Sequence, residues 1–398
     1  MNDLNELVGA ILVINAGSSS LKFGVYQAVQ PPVRFRSGKI DRFGQPGSTI
    51  TWAVRDGRSS DEPFLDGHDC NNTLGPFLDW LGARVPFDTL AGIGHRVVHG
   101  GPRFDRPVRI DDELLAELGR LEPFDPEHLL IERDLIEEFR QRAPTVTQVA
   151  CFDTAFHRDL PDVARRLPLP RRYYEQGVRR YGFHGLSFAF LMEELTRQSG
   201  GSPPPRVVLA HLGNGSSLAA VRDGSCIDTS MGFTPTGGIP MSTRSGDLDP
   251  GVIQYLWASD GMTPQTLREL TNRQAGLLGV SDVSGDLREL LARESSDPRC
   301  HEAIDIFCYA VRKQIGGYAA ALGGLDDLVF AGGIGENAPA IRSRICLGLG
   351  FLGINLDEAR NAAGEGIISV TGTAVTVRVI PTDEEGMIAR ETLTILRA

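Results

Sequence analysis

Two segments about two hundred residues apart carry the same arrangement of groups that could bind phosphate. Ile11 to Val25 reads Ile-Leu-Val-Ile-Asn-Ala-Gly-Ser-Ser-Ser-Leu-Lys-Phe-Gly-Val, and Val207 to Val221 reads Val-Val-Leu-Ala-His-Leu-Gly-Asn-Gly-Ser-Ser-Leu-Ala-Ala-Val. Each is an apolar run, a turn of small hydrogen-bonding residues and a second apolar run, the pattern of two buried strands joined by a tight hairpin. The first turn offers Asn15, Ser18, Ser19, Ser20 and Lys22; the second offers His211, Gly213, Asn214, Gly215 and Ser216. Small residues let phosphate oxygens approach backbone N–H groups and hydroxyls. Neither turn has the Walker spacing, and a water-exposed hairpin would read alike singly. Their pairing favours one polyphosphate held from both sides.

Other groups join these turns. Arg96 lies in Gly94-His95-Arg96-Val97-Val98-His99-Gly100-Gly101, a strand-like run in which a guanidinium requires an anionic partner. His184 is isolated between glycines in Tyr181-Gly182-Phe183-His184-Gly185, a context that suits a structural histidine as well as a functional one. Arg244 belongs to the long loop Pro235 to Gly251, which is dense in functional groups. Leu325 to Ala331 reads as a strand breaking into a third glycine turn, Gly332-Gly333-Ile334-Gly335-Glu336-Asn337, which opens a helix and suits a nucleotide. Asp153 and Asp383-Glu384-Glu385 read as acidic groups on strand ends, where magnesium or a hydroxyl could be held.

The elements positioning these groups alternate strands and helices. Thr49 to Val54, Gly92 to His99 and Val146 to Phe152 read as strands, and Leu129 to Arg140 carries helical spacing. Ile304, Phe307, Cys308, Val311, Ile315 and Tyr318 mark one face of a long helix. The 398 residues exceed what one core usually organises, so two domains are expected, α/β in class and built from a duplicated hairpin-led unit. Boundaries are expected at 1–150, completed by 385–398, and at 151–384.

A net charge of −11 argues against a nucleic-acid partner. Of the 40 basic residues only Lys22, Lys39 and Lys313 are lysines, which makes a lysine beside the first turn notable. No apolar run reaches the roughly 20 residues of a membrane span, and Leu7 to Ile14 lacks the flanks of a signal peptide, so a cytoplasmic protein is expected. Cys70, Cys151, Cys226, Cys300, Cys308 and Cys346 show no metal spacing and read as free thiols.

Together with Phe152-Asp153-Thr154-Ala155-Phe156-His157 and Arg244-Ser245-Gly246-Asp247-Leu248-Asp249-Pro250-Gly251, these strings resemble the acetokinase family of the acetate and sugar kinase, Hsp70 and actin superfamily. The resemblance spans nearly the whole chain. It implies two ribonuclease H-like (actin-like ATPase) domains around a nucleotide cleft, in a homodimer. It implies reversible, magnesium-dependent transfer of the ATP γ-phosphoryl group to acetate, with Mn2+ an alternative metal. Asn15 and Glu384 would hold the metal, while Asp153, Arg96, His184 and Arg244 would form the catalytic centre. Lys22, His211, Gly213, Asn214, Gly215 and Ser216 would serve the nucleotide phosphates. Asp286, Leu287, Arg288, Gly333, Ile334, Gly335 and Asn337 would serve the nucleoside end, and Val98, Phe124 and Pro235 the acceptor with Arg96.

This chain departs from the family pattern at three places. Glu122-Pro123-Phe124-Asp125-Pro126 stands where relatives carry Ala-Pro-Leu-His-Asn-Pro, so an active-site histidine is expected to be missing and Phe124 replaces a leucine. Gly285 replaces a serine before Asp286, and Gly386 a leucine after Glu385. Bulk at Phe124 favours a small acid, whereas a shifted backbone would open space for propionate. The alternatives are thus a propionate or butyrate kinase and, from another class, an actin-like or Hsp70-like ATPase without an acyl acceptor.

Overall fold

The computed structural model describes residues 7–17, 20–43, 47–54, 59–63, 74–126 and 128–398. Ser18, Ser19 and Cys70 lie outside them. The chain forms two compact units, Met1–Ala155 with Asp383–Ala398, and Phe156–Thr382. These change-overs differ by a few residues from those expected, because local hydrogen bonds hold the boundary residues to the first unit. Asp153 N donates to Val97 O at 3.0 Å, and Asp383 caps the helix Glu384–Arg397.

The first unit contains β1 (Ala10–Ala16), β2 (Ser20–Gln27), β3 (Val33–Asp41), β4 (Thr49–Val54), β5 (Ser59–Pro63), β6 (Gly92–Val97), β7 (Val108–Arg109) and β8 (Gln148–Phe152). They make one sheet in the order β5-β4-β3-β2-β1-β6-β8-β7. β1 is antiparallel to β2 and parallel to β6, so it is central and buried along its whole length. That placement explains its unbroken apolar run. Leu12 and Ile14 join a core with Phe77, Leu135 and Phe139, while the helix Glu384–Arg397 packs on β1, β6 and β8. Gly94 permits that packing, since a Cβ there would lie 2.7 Å from Ile388 Cγ2 and also strike Thr392.

The second unit contains β9 (Arg206–Leu212), β10 (Ser216–Arg222), β11 (Ser225–Thr229), β12 (Asp327–Ala331) and β13 (Thr376–Val379), in the order β11-β10-β9-β12-β13. β9 to β11 are antiparallel neighbours, and β12 is parallel to β9 and β13. The same succession of antiparallel and then parallel pairings runs through β3-β2-β1-β6-β8. The α/β class and its duplicated, ribonuclease H-like organisation are therefore seen directly. The long helix Pro298–Leu322 buries Ile304, Phe307, Val311 and Ile315 in this unit's core. Asp297 caps its start, Pro298 occupies the first turn and Gly323, at φ +73°, ends it, so both limits are written locally.

One sequence expectation is corrected here. Asp383-Glu384-Glu385 does not end a strand; it opens the helix Glu384–Arg397, where Asp383 accepts from Gly386 N at 3.0 Å. Carboxylates in a first turn are favoured by the helix dipole, which periodicity alone did not reveal. Among the described residues the five cysteines are free and buried, and no helix is long and apolar enough to cross a membrane.

Candidate active site

In the first unit the chemistry gathers where β1, β6 and β8 end. Arg96 Nε and Nη2 donate to Asp153 Oδ2 at 3.0 and 2.6 Å, and Nη1 donates to Ala16 O at 2.7 Å. Glu132 Oε1 stands 3.8 Å from Nη1. Burial opposes the guanidinium charge, but the attraction of the neighbouring carboxylates, Asp153 foremost, outweighs it and keeps Arg96 ionised. Burial pushes Asp153 upward while Arg96 pulls it back. The anion that Arg96 needs is thus supplied, in part, by the protein.

Beside it, Asn15 Nδ2 donates to Glu384 Oε2 at 3.1 Å and to Glu385 Oε1 at 2.7 Å. Lys22 Nζ is 3.8 Å from Glu385 Oε1, so the lysine assigned to phosphates also meets an acidic helix start. Burial raises Glu385 above the usual carboxylate range. Among the described residues no group of three His, Cys, Asp or Glu side chains is arranged as a metal cage. The hard oxygens of Asn15 and Glu384 nonetheless fit magnesium, which commonly takes one or two protein ligands and completes its shell with phosphates and water.

The neighbouring acceptor candidates sit on a buried floor. Val98 is fully buried, and its N donates to Glu132 Oε2 at 3.0 Å, which is why β6 ends at Val97 and not at His99. Phe124 is partly buried and meets His99 edge-on at 5.5 Å. The segment expected to lack a histidine is followed at once by one: buried His128 places Nδ1 2.9 and 3.0 Å from the Asp125 carboxylate oxygens. Sequence reasoning named Asp125 only within the departing segment and passed over His128 and Glu132. The signal was present, because Glu132 shares the helical stripe of Leu129, Ile136 and Phe139, where a charge is out of place.

In the second unit the β9–β10 turn is closed by its own residues. Gly213 N donates to Ser216 Oγ at 3.1 Å, and that hydroxyl donates to Gly213 O at 3.0 Å. Ser242 N donates to Asn214 O at 3.3 Å, joining the turn to the long loop. His184 holds a left-handed backbone at φ 58°, rare for a side-chain-bearing residue, immediately before the helix Gly185–Gln198. Its Nδ1 is 2.9 Å from Ser217 Oγ, and its ring stacks on His211 at 4.3 Å. A Cβ at Gly215 would stand 3.2 Å from His184 Nε2 and 3.6 Å from Arg244 Nη1, so turn, imidazole and guanidinium are gathered. Arg244 Nη1 donates to Pro235 O at 3.2 Å.

The third glycine turn adjoins the second: Gly213 lies beside Gly333, and Gly332 adopts φ +76° against Leu212 O. Glu336 Oε1 accepts from Gly332 N at 2.9 Å and from Thr382 N at 3.1 Å, while Asn337 Nδ2 donates to Gly333 O at 2.9 Å. Gly335 is buried and Ile334 packs partly against the core. Asp286 caps the helix Leu287–Arg293 by accepting from Arg288 N at 2.9 Å, and pairs with the exposed Arg288 side chain. The Leu287 side chain belongs to the core, leaving only its backbone to face a ligand.

The profile of the acetokinase family matches residues 10–390. The chain belongs to the acetokinase family. It is 44% identical to an acetate kinase of Rhodopseudomonas palustris (strain TIE-1), covering 96% of each chain. It is also 43% identical to a propionate kinase of Citrobacter rodentium, covering 98% of this chain and 97% of that one. The crystal structure of a propionate kinase from Francisella tularensis superposes with a TM-score of 0.90 at 33% identity, over 97% of this chain and all of the other. Within the chain the predicted residues divide cleanly: Asn15, Lys22, Arg96, Val98, Phe124, Asp153 and Glu384 belong to the first unit, and the remainder to the second.

Proposed function

We propose that this acetokinase transfers the γ-phosphoryl group of ATP to acetate, giving acetyl phosphate and ADP, and runs the reaction in reverse. The observation that carries the reading is the rigid seating of Arg96, fixed through all three nitrogens by Asp153 Oδ2 and Ala16 O beside the buried apolar Val98. A fixed guanidinium next to a small apolar wall suits a short carboxylate.

A carboxylate is already a nucleophile at neutral pH, so no general base is required to activate it. Phosphoryl transfer then depends mainly on alignment and charge. In this reading Arg96 orients the acceptor and Asp153 orients Arg96. Backbone N–H groups of Gly213, Asn214 and Gly215 and the Ser216 turn hold the nucleotide phosphates, with the glycine turn Gly333 to Asn337 and Asp286 to Arg288 serving the nucleoside. His184 and Arg244, gathered beside Gly215, stabilise charge on the transferring group. Asn15 and Glu384 would hold magnesium, which supplies charge neutralisation for the phosphates when bound.

Propionate is the second reading, favoured by the mixture of acetate and propionate kinases among the relatives. Trapping the product with hydroxylamine while comparing kcat/KM for acetate, propionate and butyrate tests both. Acetate is expected to lead; a clear preference for the four-carbon acid overturns the assignment, and no hydroxamate with any short acid removes the kinase reading altogether. The reading also carries a cytoplasmic homodimer, which fractionation and sedimentation velocity test.

A further inference from the structure

Glu132 is a buried carboxylate facing Arg96 that the proposed reaction leaves without a task. It enters from the first turns of the helix Leu129–Arg142, and its side chain is 1% exposed. Oε2 accepts from Val98 N at 3.0 Å, while Oε1 is buried with no hydrogen-bond partner, 3.8 Å from Arg96 Nη1. The groups acting on it come from every neighbouring segment: Arg96 from β6, Asp153 after β8, and Asp125 ahead of its own helix, itself paired with His128.

We propose that Glu132 is a positioning residue for the acceptor site, a buried acid that anchors the Val98 amide and, by staying uncharged, leaves Arg96 available to an anionic substrate. The charge arithmetic explains the requirement. Arg96 already faces Asp153 and Glu384, and an ionised Glu132 would add a further buried negative charge, which repels a carboxylate. With Glu132 protonated that additional charge is absent. Burial does push Glu132 up to about 8, against the pull of Arg96 and the Val98 amide, so its neutral form prevails at pH 7. Ionisation above that range adds a buried negative charge beneath the acceptor.

The inference rests on the acyl-acceptor reading above, and its test is separable from it. The wild-type enzyme and Glu132→Gln are assayed for kcat/KM of acetate between pH 6.5 and 9.5, at saturating ATP and magnesium. Acetate is fully ionised throughout. The wild type is expected to lose acceptor kcat/KM by on the order of tenfold per pH unit above about 8, while Glu132→Gln, whatever its level at pH 7, gives a flat profile. The KM for ATP should follow the same pH course in both proteins. Glu132→Leu, which cannot accept from Val98 N, should raise acetate KM roughly tenfold at every pH, with Glu132→Gln partly rescuing it. Superimposable pH profiles for wild type and Glu132→Gln overturn the inference, as does a Glu132→Leu defect shared equally by ATP. Absence of acyl phosphate from the wild type would instead remove the underlying reading.

Discussion

The two glycine-serine hairpins have the same strand pairing and nearly the same residue types, yet they are finished differently. The β1–β2 hairpin leans on groups far away in sequence: Asn15 is tied to Glu384 and Glu385, Lys22 faces Glu385, and Ala16 O receives Arg96. The β9–β10 hairpin closes on itself through Gly213 and Ser216 and adjoins the stacked His184 and His211 and the Arg244 guanidinium. The first gathers two glutamates together with Lys22 and Arg96, and the second gathers imidazoles, an arginine and backbone N–H groups. Duplicated backbone therefore provides two similar cradles that differ in the groups packed on each. That difference supports the proposal that the metal goes to the first hairpin and the nucleotide phosphates to the second.

The largest expected effect separates the two arginines. Arg96→Ala should lower kcat by about a thousandfold or more, and also destabilise the first unit by about 3–5 kcal/mol, since Asp153 is left buried without its hydrogen-bonded cation. Arg244→Ala should lower kcat by about a hundredfold or more, since its guanidinium is gathered with His184 beside Gly215. Steady-state kinetics with denaturant unfolding check both. A parallel rise in ATP KM as large as the fall in kcat would contradict the transition-state role.

A smaller effect addresses the hairpins themselves. Asn15→Ala should raise the magnesium concentration for half-maximal rate by about tenfold while leaving ATP KM, measured at saturating magnesium, near wild type. Ser216→Ala removes two turn hydrogen bonds, and about 1 kcal/mol for each implies an ATP KM raised by roughly tenfold or more at unchanged magnesium demand. Interchanged outcomes would abolish the distinction between the turns.

The smallest effect concerns a respect in which the units are alike. His95 of the first unit and His157 of the second are both held neutral by burial, pushed down to about 4. Their unfolded forms bind protons more readily, so the stability they permit is complete above about 6.5 and is lost as pH falls toward 4. Each contributes a slope of at most about 1.4 kcal/mol per pH unit in that window. Urea unfolding from pH 7 to 5 should show a shallower acid loss in His95→Phe and in His157→Phe than in wild type. An unchanged slope in either variant would show that its histidine is not buried neutral.

Much of the fold was legible because its signals are local. β1, β2, β9 and β10 announce themselves as apolar runs around small turns, and the helix Pro298–Leu322 carries its caps and its stripe in adjacent residues. The helical start at Asp383-Glu384-Glu385 was misread as a strand end because three acids in a row carry no periodicity, and only the bond from Gly386 N shows the cap. Arg96 was recognised as needing an anion, but Glu132 was hidden among the charges of an amphipathic helix, although its position on the apolar stripe was readable.

What the sequence determined by itself was the inventory: two phosphate-type turns, an out-of-place arginine, histidines set between glycines and a pair of terminal glutamates, in an order that belongs to one family. Only the tertiary structure decided their partners and therefore their charge states. Asp153 reaches Arg96 across neighbouring parallel strands, Glu384 reaches Asn15 from the other end of the chain, and Glu132 is carried under Val98 by a helix. The reason is that strand and helix formation follow short-range pattern, whereas burial and pairing of a carboxylate depend on residues distant in sequence, and these set whether it is an anion or a neutral acid.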